Sequence, residues 1–558
     1  MKPIWRALLV ALFLGAMGYG VAKLNLWGAQ ASSQRGSDSI VQRLFADRYP
    51  THRPGERVRT ADPNAAPRVR IVYLGDATMP AMRPWGWVGA FPSVGQQAQM
   101  LSDLAAPPGL RPPRAVFLDM LYYGHGLDAA ATAAQQLADE DYGALINAAG
   151  RASHAAAWRD RPICRDTPLL KIACMIRAGG VAVVIGKASA AEALTPVQQA
   201  LDEVALLAPV EAALSSYPLT FDGLAGSDAR QISPAMALYA AACFGELDQC
   251  GEPVLKAAWQ AAQGTEADTA AFDAEREPMD VVWGARDPAA LSDAERIGDC
   301  QDVGLVGAYL DALIWRPKPG GGGRGQACPY TPSAAYEAVV GRLATDRPRL
   351  ERLLSDNVVL VGSQMAGSGD WIASPVQGPI PGVHYHAMAL ANLLDWGLGG
   401  YRRESLGGVD ADLVEAVLVA LLSFVSLVLL MIRNDQWAKA EAVAPHRLNA
   451  RVYGPIYAAM LGVAGLVVAV VVYVCAAGHL MPLNWFAVLG LVWAHGAYSA
   501  HEAISGDVGR TLAARRWTAP LLNVRKRIRG FFNFEEDRLS LTRRPSTPAG
   551  EGAAPGEP

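Results

Sequence analysis

Three long apolar runs follow one another near the end of this chain: Ala411–Ile432, Gly454–Cys475 and Trp485–Ala500. They constrain the fold more than any other feature, because each must be kept from water along its whole length. The first two are as long as a helix must be to cross the ~30 Å hydrocarbon core of a bilayer. The third is shorter and carries His495, which is costly in lipid and is expected to face neighbouring helices. A fourth apolar run, Ile4–Ala22, opens the chain. About 390 residues between it and the other three are then expected on one side of a membrane.

Lysine and arginine set the orientation, because they collect on the cytoplasmic side of membrane spans. Lys2 and Arg6 precede or open the first run, and Arg433, Lys439, Arg447 and Arg451 lie between the second and third. No Lys or Arg lies in AGHLMPLN, between the third and fourth, whereas Arg510, Arg515, Arg516 and Arg525–Arg529 follow the last. Four crossings with both termini in the cytoplasm satisfy all of this, placing 23–410 outside. A charged start before an apolar core also opens a secretory signal peptide. Here no small-x-small site precedes a polar start, and the length favours a retained anchor. Gly462, Gly465 and Gly490 would let the C-terminal helices approach closely.

The cysteines point the same way. Six of the seven, Cys164, Cys174, Cys243, Cys250, Cys300 and Cys328, fall in the segment expected outside, and an even set there reads as disulfides. Six cysteines allow fifteen pairings. Loop closure favours near neighbours, hence Cys164–Cys174, Cys243–Cys250 and Cys300–Cys328, with buried thiols as the competing reading. The net charge of −4 and the lack of a basic patch in the long middle segment argue against nucleic acid as a partner.

The segments divide as 1–27 (cytoplasmic start and first span), 28–405 (outside domain), 406–502 (three spans) and 503–558 (basic cytoplasmic tail with a low-complexity, disordered end). Within the outside domain, DSIVQRLFADRY reads as a short helix in a juxtamembrane connector. RVRIVYLGDA (68–77) reads as a strand, SVGQQAQMLSDLAA (93–106) as a helix with Val94, Ala98, Leu101 and Leu104 on one face, and RAVFLDM (114–120) as a second strand. That spacing predicts a βαβ unit with neighbouring parallel strands. Asp128–Ala149 reads as a helix, Gly180–Gly186 as a buried strand and Ala190–Leu207 as another helix. The pattern loosens over about 210–350, which reads as an insertion; Val281–Trp283 and Leu305–Ile314 are elements of open type. KPGGGGRGQ (318–326) lacks the strand–loop–helix setting of a phosphate cradle. DNVVLVGS (356–363) predicts a central strand, 365–383 a loop rich in Gly, Ser and Pro, and 383–398 an amphipathic helix. The fold class is therefore an α/β extracytoplasmic domain with a mainly parallel sheet, plus four transmembrane helices.

These residues resemble those of type-2 CHASE sensor proteins (cyclase/histidine-kinase-associated sensory extracellular domain). IVYLGD is similar to that family's first strand with its terminal Asp, and RPWGWVGAFPSVGQQAQMLSDL to the Trp-Pro-Trp segment before its first helix, with Gly86 where Pro is usual. RAVFLDMLY resembles its second strand, and VVLVGSQMAGSGDWIASPVQGPIPGVHYHAMALANLL its closing segment. The likeness spans 40–125 and 350–500 and is weak between. It implies a signal-input protein of the bacterial inner membrane with its domain in the periplasm. About 57 residues follow the last span, too few for the fused kinase or cyclase such proteins often carry, so the output is expected to belong to a separate protein.

Chemistry is expected at the carboxyl ends of the parallel strands, where open α/β sheets bind ligands. Asp76 and Asp119 end two strands and Asp370 follows a third. Together they would suit a cation or a basic or polyhydroxylated ligand, unless each only closes a turn or caps a helix. Trp85, Trp87 and Phe91 could stack on a ring ligand or fill the core. His384 and His386, two apart, diverge and make a poor metal pair, and His125 is unpaired in sequence, so hydrogen-bonded structural histidines are expected; no metal, cofactor or catalytic residue is assigned. The run Arg525–Arg529 with Phe531 and Phe532 suits anionic lipid or a partner protein equally. The expected partners are the bilayer, a cytoplasmic or membrane signalling protein, an unidentified small-molecule or envelope ligand, and a second copy of the chain. A non-enzymatic scaffold of an envelope complex is the alternative. A hydrolase using Asp76 and Asp119 lacks any nucleophile elbow or metal spacing.

Overall fold

The computed structural model describes, with short gaps, residues 3–24, 69–120, 168–243, 253–262, 278–286, 327–363 and 370–399, with isolated positions such as Gln42, Ala46, Tyr49, Phe272 and Cys300 and part of 405–428. All of these fall in the first of two units, 1–489 and 490–558. The expected helix 128–149, the glycine loop 318–326, the element 305–314, His125, His495, the apolar run 485–500, the run 454–475 apart from Gly462 and Leu466, and the basic tail lie outside the described residues.

In chain order the main elements are α1 (Pro3–Leu24), β1 (Val69–Leu74), α2 (Val94–Ala105), β2 (Ala115–Leu118), α3 (Pro168–Ala178), β3 (Ala182–Lys187), α4 (Pro196–Asp202) and β4 (Leu206–Pro209). They continue with α5 (Pro234–Cys243), α6 (Pro253–Ala262), β5 (Ser333–Ala335), α7 (Tyr336–Arg342), α8 (Arg347–Leu354), β6 (Val358–Ser363), β7 (Trp371–Ser374), β8 (Gly378–Pro381) and α9 (Val383–Trp396). Six strands form one sheet in the order β5-β1-β6-β2-β3-β4, every neighbouring pair parallel.

Strand side chains alternate between two apolar layers. Ile71, Tyr73, Phe117, Val184 and Leu360 join α5, α6 and α9 on one face. Val72, Leu74, Val116, Leu118, Val183, Ile185 and Val361 join α2, α3, α7 and α8 on the other. Burial on both faces is why these strands read as continuous runs of Val, Ile and Leu. In α2 the expected face is buried at Ala98, Leu101 and Leu104, and a fully buried leucine contributes roughly 1.5–3 kcal/mol. Asp346 caps α8 by accepting the Arg349 N–H at 3.2 Å.

Four expectations change. β1 and β2 are not neighbours: β6 lies between them, because a strand from the end of the domain pairs with both. The helix expected over 190–207 is only seven residues long, and Leu206 and Leu207 belong to β4 instead, where an apolar run ending in Pro209 suits an edge strand. The loop after β6 contains an antiparallel hairpin, β7–β8, turning through Pro375–Gln377. The last helix, α9, is buried almost all round rather than amphipathic, because it fills the space between sheet and α5. The region 210–350 also contributes α5, Tyr217, β5 and α7 to the core itself.

Cys300 and Cys328 are joined by a disulfide, as expected. Cys174 and Cys243 are disulfide-bonded too, whereas Cys164 and Cys250 lie outside the described residues. α1 has 22 residues. Among the described residues no helix is both long and apolar enough to cross a membrane.

Candidate functional site

The carboxyl ends of β1, β6 and β2 meet the amino end of α9, and glycines make that meeting close. At Gly362 in β6 a Cβ would stand 2.5 Å from the Val383 Cβ, so only glycine lets the first turn of α9 rest on the strand backbone. At Gly382, just before α9, a Cβ would collide with the Asp370 carboxylate. The Gly382 N–H donates to the Asp370 carbonyl at 2.9 Å, closing the base of the β7–β8 hairpin. Asp370 is thereby fixed against the helix amino end.

Asp119 directly follows β2, and its N–H donates to Val361 O at 2.8 Å. Burial raises its carboxyl well above the usual range, and the charge of Asp370 raises it further. Burial pushes Asp370 up to about 6. The two acids therefore oppose each other's ionisation, as carboxyls sharing one site do. Neither has an ion-pair partner among the described residues.

Beside the acids, two histidines enter from the first turn of α9. His384 shares a hydrogen bond through Nε2 with the Tyr73 hydroxyl. His386 Nδ1 lies 2.8 Å from the Tyr217 hydroxyl, whose oxygen accepts the Ala235 N–H at 3.2 Å. The Phe117 ring meets His386 edge-on with centroids 5.4 Å apart. Burial holds both imidazoles down to about 3, so they are neutral at physiological pH. Burial also raises Tyr73 and Tyr217, the nearby charges of Asp370 and Asp119 adding to the rise.

Of the residues expected at the site, Asp119 and Asp370 are brought together. Asp76 and Trp85 lie outside the described residues. The Trp87 backbone pairs with Pro92 in a two-residue ladder. His384 and His386 do diverge, each onto its own tyrosine, yet both are buried because α9 is buried almost all round. Tyr73 and Tyr217 escaped the sequence reading; the only sequence signal was a tyrosine late in a strand beside the Gly75 turn, and Tyr217 had none. Among the described residues no three His, Cys, Asp or Glu converge on a metal position. What remains is a pair of acids at a sheet edge, backed by neutral histidines: a place for a cationic or multiply hydrogen-bonding ligand, or for a proton held between carboxyls.

The family model for the CHASE2 domain matches residues 57–428, two thirds of the chain. No curated protein and no solved structure matches it.

Proposed function

The chain belongs to the CHASE2 domain family, a sensory domain of the extracellular type, and from that premise we propose that it is a membrane-anchored signal-input protein. Its domain lies in the periplasm of a bacterial inner membrane. A basic or polyhydroxylated ligand binds at Asp119 and Asp370, and the bound state passes through the helices to a separate cytoplasmic partner. The observation that carries this is the acid pair at the sheet edge, without a cation among the described residues, set against the helix that runs toward the first C-terminal apolar run.

The membrane reading draws support from surfaces that water would not tolerate. Trp5, Leu9, Leu12 and Phe13 of α1 are exposed, as are Leu413, Val417 and Leu421. Acyl chains suit such contiguous apolar faces. Arg6 and Lys23 stand near the two ends of the α1 sequence, and an apolar stretch flanked by basic residues suits a membrane.

Thermal unfolding of the full-length protein with calcium chloride, putrescine or sorbitol tests the site. At least one probe is expected to raise the midpoint, and Asp119→Asn with Asp370→Asn to abolish the rise, since only a ligand of the folded state stabilises it. No shift with any probe would sink the ligand reading. The exposed ring of Trp371 on the β7–β8 hairpin favours a second function, a non-enzymatic scaffold that contacts envelope proteins. Cross-linked capture from native membranes separates the two: a signalling protein lost from a version ending at Gly506 supports the sensor, whereas envelope proteins alone support the scaffold.

A further inference from the structure

We propose that α1 is a permanent member of the working protein, clamped at two joints to the chain where it leaves the domain. This rests on the membrane-sensor reading and names the path its signal takes. The first joint is at the carboxyl end of α9. Tyr49, downstream of α1, donates from its hydroxyl to Asp395 Oδ2 at 2.9 Å and accepts from Asn392 Nδ2 at 3.1 Å. Its ring packs edge-on against Trp396, centroids 5.2 Å apart. Between them runs the extended segment 281–283. The Gln42 side-chain amide binds Val281 O at 3.2 Å and the Trp283 N–H at 3.1 Å. Asn392 takes both backbone groups of Val282, at 2.8 and 3.0 Å. One amide from each side thus satisfies a buried strip of backbone that neither could satisfy alone.

The second joint lies in the helices. Residues 397–412 lead from α9 to a stretch whose described residues from Leu413 to Val428 are helical. A Cβ at Gly15 of α1 would stand 2.9 Å from both Ala416 O and Ala420 Cβ, so the two helices touch backbone to backbone. Ala11, Ala416 and Ser423 are buried while Leu9, Phe13, Val417 and Leu421 face outward. A helix pair in water buries its large apolar residues; among its described residues this one buries its small ones, as pairs in lipid do. α9 begins at the acid site and ends in the first joint. A displacement of α9 is therefore delivered to both helices at once.

The test inserts a specific protease site between residues 50 and 68 of the full chain, with a purification tag at the far terminus. After cleavage in excess mild detergent, the fragment beginning at Met1 is expected to stay with the tagged remainder. Gly15→Leu is expected to lower its recovery ~tenfold, and Gly15→Leu with Tyr49→Phe to lower it further. Gly20→Leu should leave recovery unchanged, since nothing lies within 4 Å of a Cβ there. Four outcomes overturn the clamp: no fragment beginning at Met1, loss of the wild-type fragment on washing, full retention in Gly15→Leu, or equal loss in Gly20→Leu. None of them depends on a ligand, so the clamp and the sensing site fail separately.

Discussion

Replacing both buried histidines with glutamine should remove a large part of the domain's sensitivity to acid. Glutamine keeps an acceptor for the Tyr73 and Tyr217 hydroxyls but cannot take up a proton. In the wild type each imidazole is held down to about 3 by burial, whereas in the unfolded chain it titrates near 6.5. The unfolded state therefore takes up protons first, and stability is lost as pH falls from 6.5 toward 3. Between pH 7.5 and pH 5 the loss is ~2 kcal/mol per histidine and ~4 kcal/mol for the pair. Buried acids work in the opposite sense. Asp370 and Asp103, both pushed up to about 6 by burial, protonate in the folded state first. Their contribution, and that of the raised Asp119, is present at low pH and lost as pH rises, and it is common to both proteins. His384→Gln with His386→Gln should thus come out ~4 kcal/mol ahead of the wild type on going from pH 7.5 to pH 5, because only the histidine contribution differs between the two proteins. Urea unfolding of the full-length protein in detergent at both pH values, followed by near-ultraviolet circular dichroism, measures the difference. Parallel pH profiles for the two proteins would refute the reasoning, because they would mean that the histidines titrate alike in both states.

Other substitutions probe the remaining parts. Asp119→Asn should stabilise the ligand-free protein at pH 7.5 by relieving the unfavourable charge beside Asp370, seen as a higher melting midpoint; a lower midpoint would show that the carboxylate is tied to a partner. Tyr217→Phe strands the Ala235 N–H and His386 Nδ1 and should cost roughly 1–3 kcal/mol in urea unfolding, with no loss counting against the network. Gly362→Ala drives a methyl into Val383 and should cost ~1–3 kcal/mol, whereas Gly341→Ala, with open space around it, should leave the midpoint within ~0.5 kcal/mol. Cys300→Ser with Cys328→Ser opens a 28-residue separation and should cost ~3–4 kcal/mol, measured under non-reducing conditions.

Local pattern carried much of the fold. VRIVYL, AVFL and VVLVGS are mostly apolar, Arg70 and the final Ser363 apart, because both faces of the sheet are covered, and that run of apolar residues is what marked them as strands. Their order was not legible, since nothing in VVLVGS says that it pairs with two strands some 240–290 residues earlier. The hairpin at 371–381 was hidden by its Gly, Ser and Pro, which signal turns more strongly than Trp371 and Ile372 signal strands. Helical propensity in AAEALTPVQQALDEVALLA overran the true end of α4, because alanine and leucine suit a helix and an edge strand alike. At the site, Asp119 and Asp370 were found because acids at strand ends are conspicuous. The tyrosine partners of His384 and His386 lie 311 and 169 residues away, a separation that only the folded chain can close.

The place of β6 in the sheet also bears on how the domain is made. Until residues 358–363 are available, β1 and β2 each lack the neighbour they share, and both present unpaired backbone edges of the kind that invite misassociation. That strand arrives about 290 residues after β1 in the chain. Only some fifty residues separate it from Leu413, the first described residue of the helix that grips α1. Such distant pairing makes closure slow and late. Completion of the sheet and arrival of the second anchor therefore fall close together in synthesis, so a chain cut short before its C-terminal helices is also one whose sheet has had little time to close.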